Sequence, residues 1–300
     1  MDFEFSEDQR FFRQRVASAM ARIVAPIAKE IDETDRFPLQ VFRELGRLGY
    51  FGVRYPAEYG GMGGDCTTFV ILAEEVAKVS MGVAALVTMQ CLMGTDFIYR
   101  FGSEEQRRNL LVPAIRGEKV GTIAFTEPDC GSDLGGIKTR ARRDGDHYVL
   151  KGRKLWITNG ENADFVTVAA TIDPRKKLEG LGFFLVERGM PGFSVGQRIE
   201  KISARGAGTV ELLLDDCRVP KANLFGTEGQ GIRQLNDILS EIRTMIAGLG
   251  LGLAKAAFAA GLRYAGEREA FGRPIGAFQL IQDKIAQMET RIRASEFLTY

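Results

Sequence analysis

The residues that decide the fold are Asp146–Thr171, DHYVLKGRKLWITNGENADFVTVAAT. Within them DHYVLKG, KLWIT and FVTVAAT are short runs of strand-forming residues, and the pair Asn159-Gly160 breaks the chain before the third. The same texture continues on both sides. GTIAF begins at Gly121, GFFLVER at Gly182 and TVELLL at Thr209, with further turn pairs at Asp144-Gly145 and Pro191-Gly192. Several short strands separated by turn residues at this spacing predict a β-barrel or sandwich over residues 119–226.

Outward from that segment the period changes to helical. Residues 1–118 open with Ser6 and Gln9 at capping-box spacing, and Phe11, Phe12, Val16 and Ala19 follow at helical intervals. Further helices are predicted over Pro38–Leu48, Thr68–Val79, Met81–Phe101 and Glu104–Arg116, the last opened by a second capping box, Ser103 and Gln106. The Gly/Pro-rich YPAEYGGMGGD, Tyr55–Asp65, reads as a loop. Residues 227–300 are helical again. No strand–helix–strand alternation occurs, so no parallel sheet is expected. The pattern in Gln279–Tyr300 is still helical, with no C-cap glycine, so the chain reads as stopping inside an architecture. The expected class is α+β and multidomain: an N-terminal helical domain, a middle β-barrel or sandwich, and the first half of a C-terminal helical bundle.

Composition excludes several functions. Hydrophobic residues make up 45% of the 300, enough for a buried core, so a disordered chain is excluded. Lys+Arg is 40 against Asp+Glu 39, which argues against a nucleic-acid binder. The four cysteines (Cys66, Cys91, Cys130, Cys217) lack CxxC spacing, and His147 is the single histidine, so no metal site is expected. The acidic MDFEFSEDQRFF is neither a secretory signal nor a transit peptide. Met245–Leu262 holds four glycines and Lys255, and is expected to be a buried helix in a cytoplasmic protein with no membrane span.

Three segments look chemical. IAFTEPDCGSDLGG, Ile123–Gly136, can converge backbone N–H groups on a phosphate-bearing cofactor, although its composition also fits an ordinary strand-ending turn. KLWITNG, Lys154–Gly160, holds the only tryptophan. Trp156 and Thr158 share a strand face by the period of two, which suits a flat heterocycle, although composition alone favours a core tryptophan. REAFGRPIGAFQ, Arg268–Gln279, is a helix–helix connection carrying a cation, an aromatic ring and an amide. The GLGLG at Gly248–Gly252 lies inside a helical pattern, where close helix packing explains it. His147 beside a hairpin turn, with no GxSxG, argues against a serine-hydrolase set.

Together these segments resemble the acyl-CoA dehydrogenase family. TEPDCGSD is similar to the family's TEPxAGSD, with Cys130 at the usual alanine; WITNG matches unchanged; and REAFGRPIGAFQ matches the R-x-x-F-G…Q segment. The resemblance implies an FAD enzyme that oxidises an acyl-CoA thioester to the 2,3-enoyl form and passes electrons to an electron-transferring flavoprotein. It implies that Phe125, Thr126 and Ser132 lie along the flavin and its phosphate arm, with Ser132 also at the substrate's pantetheine. Trp156 and Thr158 contact the isoalloxazine, the threonine near N5. Arg268, Phe271 and Gln279 reach the FAD of a neighbouring subunit, which implies a homodimer or homotetramer. Ser240 and Arg243 fall where the family contacts thioester substrate.

The resemblance departs at the proton acceptor. Most relatives take a glutamate from a segment beyond Tyr300, and a subset takes it from the position before the arginine matching Arg243, which is Ile242 here. Glu241 is adjacent, but one residue rotates about 100° on a helix and should face elsewhere. Asp96, in the apolar TMQCLMGTDFIYRF, is the remaining candidate: a buried carboxylate needs a partner or a task, unless it faces solvent or caps a helix end. At the flavin it would serve as acid/base for a less common substrate, such as an alicyclic thioester. Rival readings are a dehydrogenase of carrier-protein-bound acyl groups, a flavin monooxygenase of the same fold, and a base-less flavin-binding subunit of a heteromer.

Overall fold

Both predicted capping boxes form. The Ser6 hydroxyl accepts from the Gln9 N–H while the Gln9 side chain accepts from the Ser6 N–H, and Ser103 and Gln106 repeat the exchange. The computed structural model describes residues 4–300; the first three residues of the acidic opening lie outside them. The N-terminal helices are α1 (Glu7–Ala19), α2 (Ala28–Thr34), α3 (Leu39–Arg47), α4 (Cys66–Ala77), α5 (Met81–Thr88), α6 (Asp96–Phe101), α7 (Glu104–Gln106) and α8 (Val112–Ile115). The predicted Met81–Phe101 helix is interrupted. A π-turn at Met89–Met93 separates α5 from α6, and the Gly94 backbone there lies so close to Gly121 that a Cβ would overlap its carbonyl. Gln90, fully buried within the π-turn, accepts from the Gly121 N–H and donates to the Ala114 and Lys119 carbonyls. One amide thus ties the helical domain to the first strand.

The middle domain is one curled, mixed sheet of β1 (Gly121–Ala124), β2 (Arg140–Asp144), β3 (His147–Ile157), β4 (Phe165–Thr171), β5 (Leu181–Glu187), β6 (Phe193–Arg198) and β7 (Val210–Pro220). Its order is β1-β4-β2-β3-β7-β6, with β5 on β4. The expectation of no parallel pairing is corrected: β1 runs parallel to β4, from Gly121 opposite Phe165 to Ala124 opposite Val168. The β2–β3 hairpin supplies that crossover in place of a helix, which is why strand–helix alternation gave no warning. β4 and β5 are buried along nearly their whole length.

The remaining helices are α9 (Gly231–Glu267) and α10 (Gln279–Thr299), joined by the short hairpin β8 (Glu269–Ala270) and β9 (Arg273–Pro274). The glycines of GLGLG are explained by packing against α4. A Cβ at Gly252 would overlap the Glu74 carbonyl, and one at Gly248 would press on Val70, while Gly250 faces open space. The buried-helix expectation for Met245–Leu262 holds on one face only: Met245 and Leu249 are buried, but Ile246 and Leu253 are at least half exposed. Met81–Phe101 and Gly231–Glu267 are both long and apolar enough to cross a membrane by length and composition; the most apolar part of the first is mostly buried in the protein, that of the second mostly not.

Candidate active site

The site grows from an irregularity in β3. Pairing with β7 shifts register between Lys154 and Ile157, and Trp156 has φ 63°. A straight strand would send Lys154 and Trp156 to the same face. The bulge separates them, burying Lys154 and Ile157 and leaving the Trp156 indole 53% exposed. The core reading of the tryptophan is therefore overturned. Thr158, half-buried, follows just beyond the end of β3. Asn159, at φ 63°, closes the motif by donating its amide to the Leu86 carbonyl at 3.1 Å, docking the turn on α5.

The Ile123–Gly136 segment lies alongside. Leu155 N–H donates to the Thr126 carbonyl (2.9 Å), and the Thr122 hydroxyl donates to the Thr158 carbonyl (2.5 Å), so the two motifs form one surface. Below it, Lys154 is fully buried and donates to Glu127 at 2.7 Å and to the Phe125 carbonyl at 3.0 Å. Glu127 also accepts from the Lys138 and Thr139 backbone N–H groups, at 2.7 and 3.0 Å. Burial pushes the Glu127 carboxyl up, but the Lys154 charge and these bonds outweigh it and hold it below the usual range. Burial depresses the Lys154 ammonium, with Glu127 opposing. Phe125 stacks edge-on against Phe183 (5.5 Å), which packs on Phe97 of α6 (4.6 Å). Sequence reasoning missed Glu127 and Lys154. Their spacing to each motif is fixed, but only the fold shows that both side chains turn inward.

The surface that results fits a flavin. It offers a half-exposed indole, the Thr126 and Thr158 hydroxyls, and a Thr126 N–H with no acceptor among the described residues. Beyond it, Ser132 is exposed, and Gly131 has no atom within 4 Å of where a Cβ would stand, leaving the backbone open to a phosphate arm.

Other predicted residues lie elsewhere. Arg268, Phe271 and Gln279 sit beyond the C-terminal end of α9, with Phe271 96% exposed. The 37 residues of α9 span about 54 Å, and its first residue, Gly231, packs on the Leu181 carbonyl of β5. Ser240 and Arg243 are exposed on the intervening helix.

Asp96 requires a correction. It neither faces solvent nor stands unpaired: it is buried, with Arg54 Nη1 3.1 Å from Oδ1 and Arg100 Nε 2.6 Å from Oδ2. Both arginines also pair with Glu241. The buried carboxylate thus has the charged partners that its burial calls for. Glu241, rotated from Ile242 as expected, is engaged in the same quartet. Ile242 has no ionisable group.

Comparison with known proteins agrees with this geometry. Family models match in order: the acyl-CoA dehydrogenase N-terminal domain over residues 6–118, the middle domain over 122–217 and the C-terminal domain over 229–300. Benzylmalonyl-CoA dehydrogenase of Aromatoleum aromaticum is 42% identical over 301 residues, covering 100% of this chain and 79% of that protein. Butyryl-CoA dehydrogenase from Megasphaera elsdenii superposes with a TM-score of 0.96 at 34% identity, covering 100% of this chain and 79% of that one. A chain solved in work on the electron transferring flavoprotein of Acidaminococcus fermentans has a TM-score of 0.97 at 37% identity, with the same coverage of 100% and 79%. Fold and family matches define a flavoprotein oxidoreductase acting on a CH–CH bond. The chain belongs to the acyl-CoA dehydrogenase family, whose members depend on FAD.

Proposed function

We propose that this chain catalyses α,β-dehydrogenation of an acyl-CoA thioester to the 2,3-enoyl-CoA, with an electron-transferring flavoprotein as acceptor, as a homodimer or homotetramer in the cytoplasm. The observation that carries the reading is the open indole of Trp156 beside the Thr126 N–H, which has no acceptor among the described residues, on a surface locked from below by buried groups. Bound FAD supplies the hydride acceptor for the substrate Cβ hydrogen. The chain's own residues bind and orient. Trp156 provides an aromatic face, Thr126 and Thr158 provide donors at the ring edge, and Phe125 backs the Thr126 peptide through its stack on Phe183. Ser132 lies toward the phosphate arm and the pantetheine, and Ser240 and Arg243 present polar groups to the thioester carrier.

The α-proton that balances this hydride passes to a carboxylate base outside the Arg54–Arg100 quartet, since Ile242 has no ionisable group and Asp96 and Glu241 are held in ion pairs. Position along α9 supports the oligomer. Arg268, Phe271 and Gln279 lie about 54 Å of helix from Gly231, so they suit the FAD of a second copy. The acceptor is supported by the flavoprotein work in which the related chain was solved. Four free cysteines suit a reducing, cytoplasmic compartment. Anaerobic incubation of the purified holoprotein with a panel of acyl-CoA esters tests the activity. Bleaching of the flavin with formation of the enoyl-CoA is expected; product formed only with oxygen would favour the monooxygenase reading instead.

A further inference from the structure

We propose that Lys154 is a positioning residue for the flavin: by holding the Phe125 carbonyl inward, it presents the adjoining Thr126 N–H outward as a donor to the isoalloxazine. The inference rests on the reading above, in which that ring lies against Thr126.

No peptide bond in the described chain is cis, and the C=O and N–H of a trans peptide point in opposite directions. Lys154 Nζ lies 3.0 Å from the Phe125 oxygen, on the buried side of the turn. The N–H of that same peptide belongs to Thr126, and it has no acceptor among the described residues. A donor polarised by a cation on its own carbonyl is a stronger donor in a low-dielectric site.

Stability alone does not account for the pair. A buried ion pair is commonly replaced by apolar residues at no net loss, so the choice of Lys over Met or Leu at a fully buried strand position calls for another reason. The β3 bulge is part of the same device. It turns Lys154 under the motif while turning Trp156 out, so the residues above and below the Thr126 peptide come from neighbouring positions of one strand. Glu127 sets the ammonium in place, and is itself fixed by the Lys138 and Thr139 N–H groups.

The test uses flavin-stripped protein titrated with FAD, read by Trp156 emission and by the visible spectrum. Three variants are compared: Lys154→Met, Glu127→Gln and the double variant. Glu127→Gln keeps an acceptor for the backbone donors and leaves Lys154, charged or neutral, able to donate to Phe125. The expected order is a rise of about tenfold or more in the FAD dissociation constant for Lys154→Met and for the double variant, with a displaced flavin band. Glu127→Gln is expected to shift it less than about threefold. The thermal midpoint of the flavin-free double variant should stay near that of the parent. A purely structural pair predicts the reverse order, because Glu127→Gln strands a buried amine. FAD binding by the double variant with the parent's affinity and spectrum overturns the proposal, as does equal weakening by Lys154→Met and Glu127→Gln. Failure of the unaltered protein to take up FAD would instead sink the flavin reading itself.

Discussion

Replacing Glu74 by Gln should cost stability in a way that depends on pH. Glu74 is fully buried where α4 meets α9 and α10, and it accepts from Lys78 (2.8 Å), Lys255 (2.9 Å), Arg13 (3.3 Å) and the Tyr300 hydroxyl (2.6 Å). Burial alone would raise its pKa, but Lys78, Tyr300 and Lys255 overcome that and bring it from 4.5 to about 2. At about 1.4 kcal/mol per unit, the shift corresponds to about 3 kcal/mol of stability. Its partners limit the loss, since Lys78 keeps Glu75, and Lys255 keeps Glu296. With an unfolding entropy of about 2 cal/mol/K per residue, 3 kcal/mol in a chain of this size is a fall of about 5 °C in thermal midpoint. Because the folded pKa is depressed, the contribution is whole above the unfolded value near 4.5 and is lost as pH falls toward 2. Scanning calorimetry of parent and Glu74→Gln should show a gap of about 5 °C at pH 7, narrowing to about 3 °C at pH 3.5. A gap independent of pH, or one below about 1 °C, would refute the assignment of that charge to the helical interface.

Other outcomes follow from the same geometry. Gly252→Val should lower the thermal midpoint by more than about 5 °C because its Cβ meets the Glu74 carbonyl, whereas Gly250→Ala, facing open space, should leave it unchanged or raise it. Asp96→Asn should lower thermal stability and leave FAD content intact, since Asp96 serves Arg54 and Arg100; lost turnover at unchanged stability would return it to the chemistry. Phe271→Ser should shift the native mass toward monomer in sedimentation and weaken FAD retention together, and an unchanged mass and flavin content would remove this residue from the subunit contact.

Much of the fold was legible because its signals are local. Capping boxes, turn pairs and the switch between periods of two and 3.6 are written in adjacent residues, and the helical, sheet and helical segments came out in that order. The parallel β1–β4 pairing was not legible, since it depends on which strands the β2–β3 hairpin steps across. The π-turn at Met89–Met93 was hidden as well, since its close neighbour, the approach of Gly94 to Gly121, is a contact between distant parts of the chain. At the site, the motifs identified Trp156 and Thr126, but composition favoured a core tryptophan because a bulge cannot be seen in KLWITNG. Lys154 reads as a solvated charge in a sequence and is a buried one in the fold. Asp96 was recognised as anomalous, and Arg100 stands four residues on in the same helix at ion-pair spacing, but Arg54 lies far away in the chain and only the fold brings it to the carboxylate.

The central claim is that a flavin rests against Trp156. Fluorescence titration of flavin-stripped protein with FAD tests it most directly, with Trp156→Phe as the control for any other emission. The account predicts saturable quenching at one FAD per chain that disappears in the Trp156→Phe protein. Saturable FAD binding that leaves the Trp156 emission untouched would contradict it.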